Sequence, residues 1–458
     1  MKITPAIFRM YDIRGIVKVD LTPDAVYMIG QAFAAESLSQ DCNTVAIGRD
    51  GRLHSPLLAR KLSEGLRAGG CDVIDVGEVP TPVLYFATHQ LRTHTGIMVT
   101  GSHNPPEYNG LKMVLNGKTL YGDDILGLHK RIEENRLTTG NGKHRQESVT
   151  EIYLKRITDD VKLSKPMNIA VDCGNGVAGN VAPELFRRMG CTVTELFCDV
   201  DGTFPNHHPD PSKLENLKDL CASIEQNSLD LGLAFDGDGD RVGIVDNKQH
   251  IIFPDRQMIL YAEDVLSRNP GAQIIYDIKS SYHLGKAITK MGGEPLMWKT
   301  GHSLIKAKMK ETGALLAGEM SGHIFFKERW YGFDDGLYAA ARMLEILSKK
   351  TETAAEVFGK LPDSFNTPEL QITFKEGEHY KFMDKFSKQA KFPDAVDIST
   401  IDGMRVTWNK GWGLIRPSNT TPSLVLRFEA EDKKSLDEVQ AIFRKQMTKL
   451  DPTLKLPF

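Results

Sequence analysis

Thr100-Gly101-Ser102-His103-Asn104-Pro105-Pro106 sets one serine on a glycine-flanked turn directly after an apolar run, Gly96-Ile97-Met98-Val99. Such residues also build ordinary turns, but a hydroxyl at that place is presented to chemistry rather than to packing. Asp236-Gly237-Asp238-Gly239-Asp240-Arg241 likewise follows an apolar run, Leu231-Gly232-Leu233-Ala234-Phe235. Alternating carboxylates and glycines let three oxygens turn toward one hard cation, with Mg²⁺ the natural occupant. Without a cation the three charges would repel one another. A calcium EF-hand does not fit, because the twelfth position is Asn247 rather than Glu and the approach is a strand.

Gly318-Glu319-Met320-Ser321-Gly322-His323 offers a carboxylate, a hydroxyl and an imidazole on one loop, the groups needed to grip sugar hydroxyls. A helix cap or a loop histidine would use the same residues. Arg416-Pro417-Ser418-Asn419-Thr420-Thr421-Pro422 gathers a guanidinium, hydroxyls and an amide within one turn, which suits an anion and above all a phosphate. The plain alternative is a hairpin turn. Arg9, Arg14, Arg49, Lys112, Arg241, Lys279, Lys299 and His302 also stand on or beside loops. Many surface cations are only solvated, yet a cleft for a doubly charged phosphosugar would need several of them.

The elements that must position these loops repeat. Val45-Ala46-Ile47 ends at Gly48-Arg49-Asp50, Ile169-Ala170-Val171 at Asp172-Cys173-Gly174, and Ile274-Ile275-Tyr276 at Asp277-Ile278-Lys279. Helix-like segments follow, closing at Gly69-Gly70, Gly190 and Gly292-Gly293, each placed for a left-handed C-cap before a new strand. Three βαβ copies predict three similar α/β domains with mixed sheets. In each copy the next apolar strand opens into one of the polar loops, at Ser102, at 236–241 and at 318–323. Ligands gather at the carboxyl ends of strands in α/β folds, so one central cleft is expected.

Beyond residue 362 the pattern changes to alternating strands and a helix over 435–450, a C-terminal antiparallel α+β domain. The expected division is 1–148, 149–250, 251–362 and 363–458, carrying the serine, acidic, sugar and phosphate loops in turn. A chain of 458 residues accommodates that number of domains. Its net charge of -3 gives no bulk attraction to nucleic acid or acidic membranes. With no apolar stretch near membrane-span length and no signal-peptide core, a cytoplasmic protein with no membrane partner is expected. The six cysteines are irregularly spaced without a CxxC pair, which predicts free thiols.

Taken together, the four loops resemble the α-D-phosphohexomutase superfamily in the family's order along the whole chain. TGSHNPPEYNG is similar to its phosphoserine loop, DGDGDR to its metal loop, GEMSGH to its sugar loop and RPSNTTP to its phosphate loop. Phe8-Arg9-Met10-Tyr11-Asp12-Ile13-Arg14-Gly15 matches its amino-terminal element. The pattern is most like the bacterial phosphomannomutase/phosphoglucomutase branch. Met320 stands where the phosphoglucosamine branch usually has Gln, while Pro417 departs from the Ala common in the bifunctional branch.

The resemblance implies reversible phosphoryl transfer between C1 and C6 of mannose and glucose phosphates, through a phosphoserine at Ser102 and a 1,6-bisphosphate intermediate. Glucose 1,6-bisphosphate would serve as activator. Ser102, Asp236, Asp238 and Asp240 would hold Mg²⁺. Tyr11, Lys279, His302, Glu319, Ser321, His323, Arg416, Ser418, Asn419 and Thr420 would bind the hexose phosphate. Lys112, His323 and His103 are the candidates for moving the proton, and Arg14 and Arg241 would tune charge near the serine. The partner is a small hexose phosphate and a monomer is expected. The alternatives are a phosphoglucosamine mutase, a metal-dependent phosphatase that releases phosphate to water, and a sugar-phosphate sensor. A sensor would have little use for both a serine loop and a three-aspartate loop.

Overall fold

Three of the four sheets follow one plan. The structure, a computed structural model, describes residues 3–375, 377–419 and 421–458. In the first domain strands Asp72–Glu78, Thr44–Arg49 and Gly96–Val99 run parallel, and Tyr108–Leu115 returns antiparallel to the last of them. The second repeats this with Thr192–Leu196, Asn168–Asp172 and Leu231–Phe235 in parallel and Val242–Asp246 antiparallel. The third does so with Glu294–Trp298, Gln273–Asp277, Leu316–Gly318 and the antiparallel Ile324–Phe326. The serine, acidic and sugar loops each join the third strand of this order to the fourth, so they leave equivalent sheet ends.

Helices Ser55–Ala68, Ala182–Arg188 and Tyr282–Lys290 supply the crossovers. The expected left-handed residue past each helix is present at Gly70, Gly190 and Gly292, with φ of 106°, 94° and 80°. Strand Leu231–Phe235 is buried at every position, as a strand covered on both faces must be. That continuous apolar run is why the strand is readable in the sequence.

The C-terminal sheet is antiparallel throughout, with Ser423–Ala430 paired to Gly411–Pro417, which in turn pairs with Met404–Trp408. The last helix spans Lys433–Leu450 and starts two residues earlier than expected, because the Asp432 side chain caps Ser435 N at 2.7 Å. A second helix, Glu378–Gln389, buries His379, Phe382, Met383 and Phe386 on one face. Its spacing of i, i+3, i+4 and i+7 was available as a signal.

One continuous cluster of buried apolar side chains runs through the first three domains, including Met98, Phe186 and Tyr338. The fourth domain keeps its own core around Phe386, Phe428 and Phe443. It joins the third through a small cluster of Ile278, Trp412 and Leu414 and through Arg405, whose Nη1 donates to Ile278 O at 2.6 Å and Ser280 O at 2.8 Å. All six cysteines are free thiols, as expected. Among the described residues no helix is long and apolar enough to cross a membrane.

Candidate active site

Ser102 has a φ of +48°, a left-handed backbone conformation that costs a non-glycine residue about 1–2 kcal/mol. The surrounding contacts hold it there. Ser102 N donates to Thr100 Oγ1 at 2.8 Å, and Gly101 N to Asp50 Oδ2 at 2.9 Å. Arg52 is buried beneath the loop, where its guanidinium donates to the carbonyls of Ser102 at 2.8 Å, Asn104 at 2.6 Å, Pro105 at 2.6 Å and Tyr108 at 3.1 Å. A Cβ on Gly101 would lie 2.3 Å from Arg52 Nε, so this close approach requires glycine. Arg14, aligned opposite Gly110 in the sheet, donates to Gly101 O at 2.6 Å and also contacts Asn104 and Asp12.

The acidic loop meets the serine. Ser102 Oγ donates to Asp236 Oδ2 at 3.0 Å, across a contact so tight that a Cβ on Gly237 would lie 2.3 Å from Ser102 O. Asp236, Asp238 and Asp240 are fully buried and offer ligand atoms all within 4.8 Å of one another. Asp238 Oδ1 and Asp240 Oδ1 are buried without a hydrogen-bond partner. Burial first, then the two neighbouring carboxylates, pushes the Asp236 carboxyl well above its ordinary range. Orphaned oxygens and a carboxyl that resists ionising fit a site for a hard divalent cation.

Part of the missing positive charge comes from Lys112. Its ammonium bonds Asp238 Oδ2 at 2.7 Å and also Asp240, while Thr81 Oγ1 donates to the same Asp238 oxygen. Burial opposes the lysine's charge, but the two aspartates outweigh it and hold Lys112 protonated. His103 lies 3.2 Å from Ser102 Oγ. Burial, followed by the charge of Arg241, drives its pKa well down, so His103 is neutral at pH 7.

The sugar loop reaches the acidic loop through an isolated bridge between Arg241 and His323. Arg241 Nε donates to His323 Nε2 at 3.0 Å, and His323 Nδ1 lies 3.1 Å from Asp334 Oδ2. His302 shares that carboxylate at 3.5 Å, with its ring stacked on His323 at 5.4 Å. Glu319 is buried on the same turn. One of its oxygens takes the Gly301 N–H and the other has no partner, while burial raises its pKa. Ser321 stands beside it, half-buried.

Arg416, next to last in strand Gly411–Pro417, bonds Asp402 Oδ2 at 3.0 Å through Nε. Ser418 Oγ accepts from Thr421 N at 3.2 Å, closing the turn. Thr420 lies outside the described residues. Tyr11, from the first domain, donates to Thr300 O at 2.8 Å and accepts from Asn419 Nδ2. Lys279 pairs with Glu369 at 2.9 Å. The serine, acidic and sugar loops are therefore in direct contact, and Tyr11 joins the phosphate loop to the first and third domains. Arg49 instead pairs with Glu78 at 3.8 Å, half-exposed.

The sequence matches phosphoglucomutase/phosphomannomutase alpha/beta/alpha domain I over residues 5–139, domain II over 151–249, domain III over 253–365 and the C-terminal domain over 369–446. The chain belongs to the phosphoglucomutase/phosphomannomutase family. It is 54% identical over 453 residues to the phosphomannomutase/phosphoglucomutase of Pseudomonas aeruginosa, covering 99% of this chain and 98% of that protein. It is 51% identical over 454 residues to a phosphoglucomutase of Neisseria meningitidis serogroup A, covering 98% of each. A crystal structure of a phosphoglucomutase/phosphomannomutase family protein from Burkholderia thailandensis superposes with a TM-score of 0.95 at 51% identity over all of both chains.

Within this phosphoglucomutase/phosphomannomutase frame several working residues escaped the sequence reading. Arg52, Thr81, Asp334, Glu369 and Asp402 carry no motif of their own. Arg52, Thr81 and Glu369 support recognised residues from far along the chain, as Thr81 does Asp238 across 157 positions, whereas Asp334 and Asp402 back His323 and Arg416 from nearer by. Asp334-Asp335, an acidic pair before Gly336, was the one local signal: Asp335 caps helix Gly336–Ser348 and Asp334 backs the two histidines.

Proposed function

We propose that this family member interconverts the 1- and 6-phosphates of mannose and of glucose, with Ser102 as the phosphoryl carrier. The observation that carries the reading is the contact of Ser102 Oγ with Asp236 Oδ2, 3.0 Å long, inside a buried three-carboxylate cluster. A nucleophilic hydroxyl placed at a cation site is the arrangement for phosphoryl transfer.

Asp236, Asp238 and Asp240 would hold Mg²⁺ against the serine's phosphoryl oxygens. When bound, that cation supplies Lewis-acid neutralisation of the transferring group. Lys112, held charged beside the cluster, offsets further negative charge, and Arg14 and Arg52 fix the serine loop. Glu319 and Ser321 would take sugar hydroxyls. Arg416, Ser418, Asn419 and Thr420, with Lys279 and Tyr11, would grip the phosphate that does not react, so that remote binding energy orients the reactive end.

His323 is our choice to accept the proton of the attacking sugar hydroxyl. Its Nδ1 lies 3.1 Å from Asp334 Oδ2, which orients the ring, and its Nε2 accepts the Arg241 N–H, a bond that must yield before Nε2 can take the sugar's proton. The hydroxyl takes the phosphoryl group from Ser102, giving a hexose 1,6-bisphosphate. After reorientation, the other phosphate returns to Ser102 and the isomeric monophosphate departs. Added glucose 1,6-bisphosphate would keep the serine charged.

A coupled turnover assay tests this with Mg²⁺ and a trace of glucose 1,6-bisphosphate, comparing mannose, glucose and glucosamine 1-phosphates while free phosphate is followed. Conversion of the first two without phosphate release supports the proposal. Preference for glucosamine 1-phosphate would move the chain to the phosphoglucosamine branch, and phosphate release without isomerisation would make it a phosphatase.

A further inference from the structure

A cavity of about 320 Å³ lies between the first and third domains, and none of its lining residues belongs to the reaction cleft. That volume falls at the lower end of the ~300–1,000 Å³ typical of small-molecule sites. Its wall is aromatic. Tyr331 and Phe333 are parallel within 4° at 6.0 Å, and His89 lies against both rings. Burial pushes the His89 pKa down, so this imidazole joins the wall uncharged. Tyr85 packs on Phe333 at 5.6 Å, and its buried hydroxyl has no hydrogen-bond partner among the described residues.

The charge around this wall is one-sided. Lys118, Lys306, Lys310 and Lys327 line the cavity, and no described lining residue is acidic, in a chain whose overall charge is -3. Lys118 is matched by Asp124 outside the lining at 2.8 Å, and Lys306 by Asp334 at 2.7 Å. Neither Lys310 nor Lys327 has a carboxylate within 4.0 Å among the described residues, and both are exposed, so each ammonium is open to an anion in the cavity. Stacked rings favour a flat partner, and the lysines favour phosphate.

We infer that this pocket is a second ligand site, built for a nucleoside diphosphate, with the base against the Tyr331–Phe333 wall and the phosphates on Lys310 and Lys327. Lys306 gives the site a physical link to the cleft. Its ammonium sits 4.3 Å over the Tyr85 ring in the pocket and also bonds Asp334, the carboxylate beside His323 and His302. The pocket shares no residue with the substrate loops, so its occupancy is independent of which hexose phosphate the cleft takes.

Isothermal titration of the intact protein with UDP tests the inference, with uridine and pyrophosphate as the two halves of the probe. We expect UDP to bind once per chain, at least about tenfold more tightly than either half, a difference corresponding to ~1.4 kcal/mol. Saturation of the cleft with glucose 1,6-bisphosphate should leave that binding in place. The exposed pair Lys310→Glu and Lys327→Glu should weaken it by about tenfold or more while basal turnover is unchanged. Tyr331→Ala provides an independent variant and should bring UDP down to the affinity of pyrophosphate. Displacement of UDP by the bisphosphate would place the binding in the reaction cleft and overturn the inference. So would pyrophosphate binding as well as UDP, indifference to charge reversal, or no UDP binding at all.

Discussion

Asn419 Nδ2 donates to Tyr11 Oη across 408 positions of chain, joining the phosphate loop of the fourth domain to the first. The same hydroxyl donates to Thr300 O in the third domain at 2.8 Å, so one tyrosine ties three domains together. Gly301 makes room for it, since a Cβ there would sit 2.6 Å from the Tyr11 ring.

Tyr11→Phe should raise KM for hexose phosphate with a smaller effect on kcat, because the bonds lost position the phosphate loop rather than the reacting atoms. Two hydrogen bonds at about 0.5–1.5 kcal/mol each predict an effect of roughly five- to 150-fold on kcat/KM. Burial pushes the Tyr11 hydroxyl up to about 12 from 10.0, with Arg416 opposing. The folded pKa is the higher one, so the stabilisation is complete below pH 10 and is lost as pH rises through about 12. Burial also holds up the hydroxyls of Tyr85, Tyr153, Tyr261, Tyr276, Tyr282 and Tyr338, so tyrosinate absorbance followed against pH should show one fewer late-ionising tyrosine in Tyr11→Phe than in the parent protein.

Ser102→Ala should cut turnover by at least about 10³-fold while hexose phosphate still binds, since the grip comes from other loops. Calorimetric binding alongside the turnover assay separates the two. Full activity in this variant would remove Ser102 from the chemistry.

Arg52→Met should destabilise the serine loop by about 3–5 kcal/mol, because it strands Asp50 and several carbonyls in a dry site. Thermal unfolding and proteolytic nicking near 101–108 report it. A surface arginine such as Arg60, with a side chain 67% exposed, should change neither when replaced by Met.

Chelation should abolish turnover and Mg²⁺ should restore it. The chelated protein should stay folded, because Lys112 remains as an internal counter-charge to Asp238 and Asp240. Circular dichroism before and after chelation checks this. Lys112→Met should make stability far more dependent on the cation.

Saturating bisphosphate should shrink the radius of gyration in small-angle scattering. The fourth domain has a separate core and a small apolar contact with the third, whereas one apolar cluster runs continuously through the first three. An unchanged profile would mean that the phosphate loop does not close over the substrate.

The four loops were legible because each packs its chemistry into six or seven contiguous residues at a strand end. The repeated domains were legible for a related reason: buried strands read as apolar runs, and the helix-ending glycines punctuate them. The supporting shell was not legible. Arg52 resembles any surface arginine until the fold puts four carbonyls around it, and Glu369 gains meaning only from Lys279, 90 positions away. Lys112 was readable as a cation but not as one fixed between two aspartates, because those contacts span 126 and 128 positions of chain.

Three sheets with one strand order, each sending a loop from its third strand to its fourth, divide the reaction among separable parts. The proposed nucleophile, cation ligands and sugar-reading groups sit on different domains, so a substitution at Glu319 or Ser321 would alter which hexose is accepted without replacing Ser102 or the three aspartates. Such modularity makes substrate preference the most readily evolved property of this architecture, and loop exchange between relatives the natural way to redirect it.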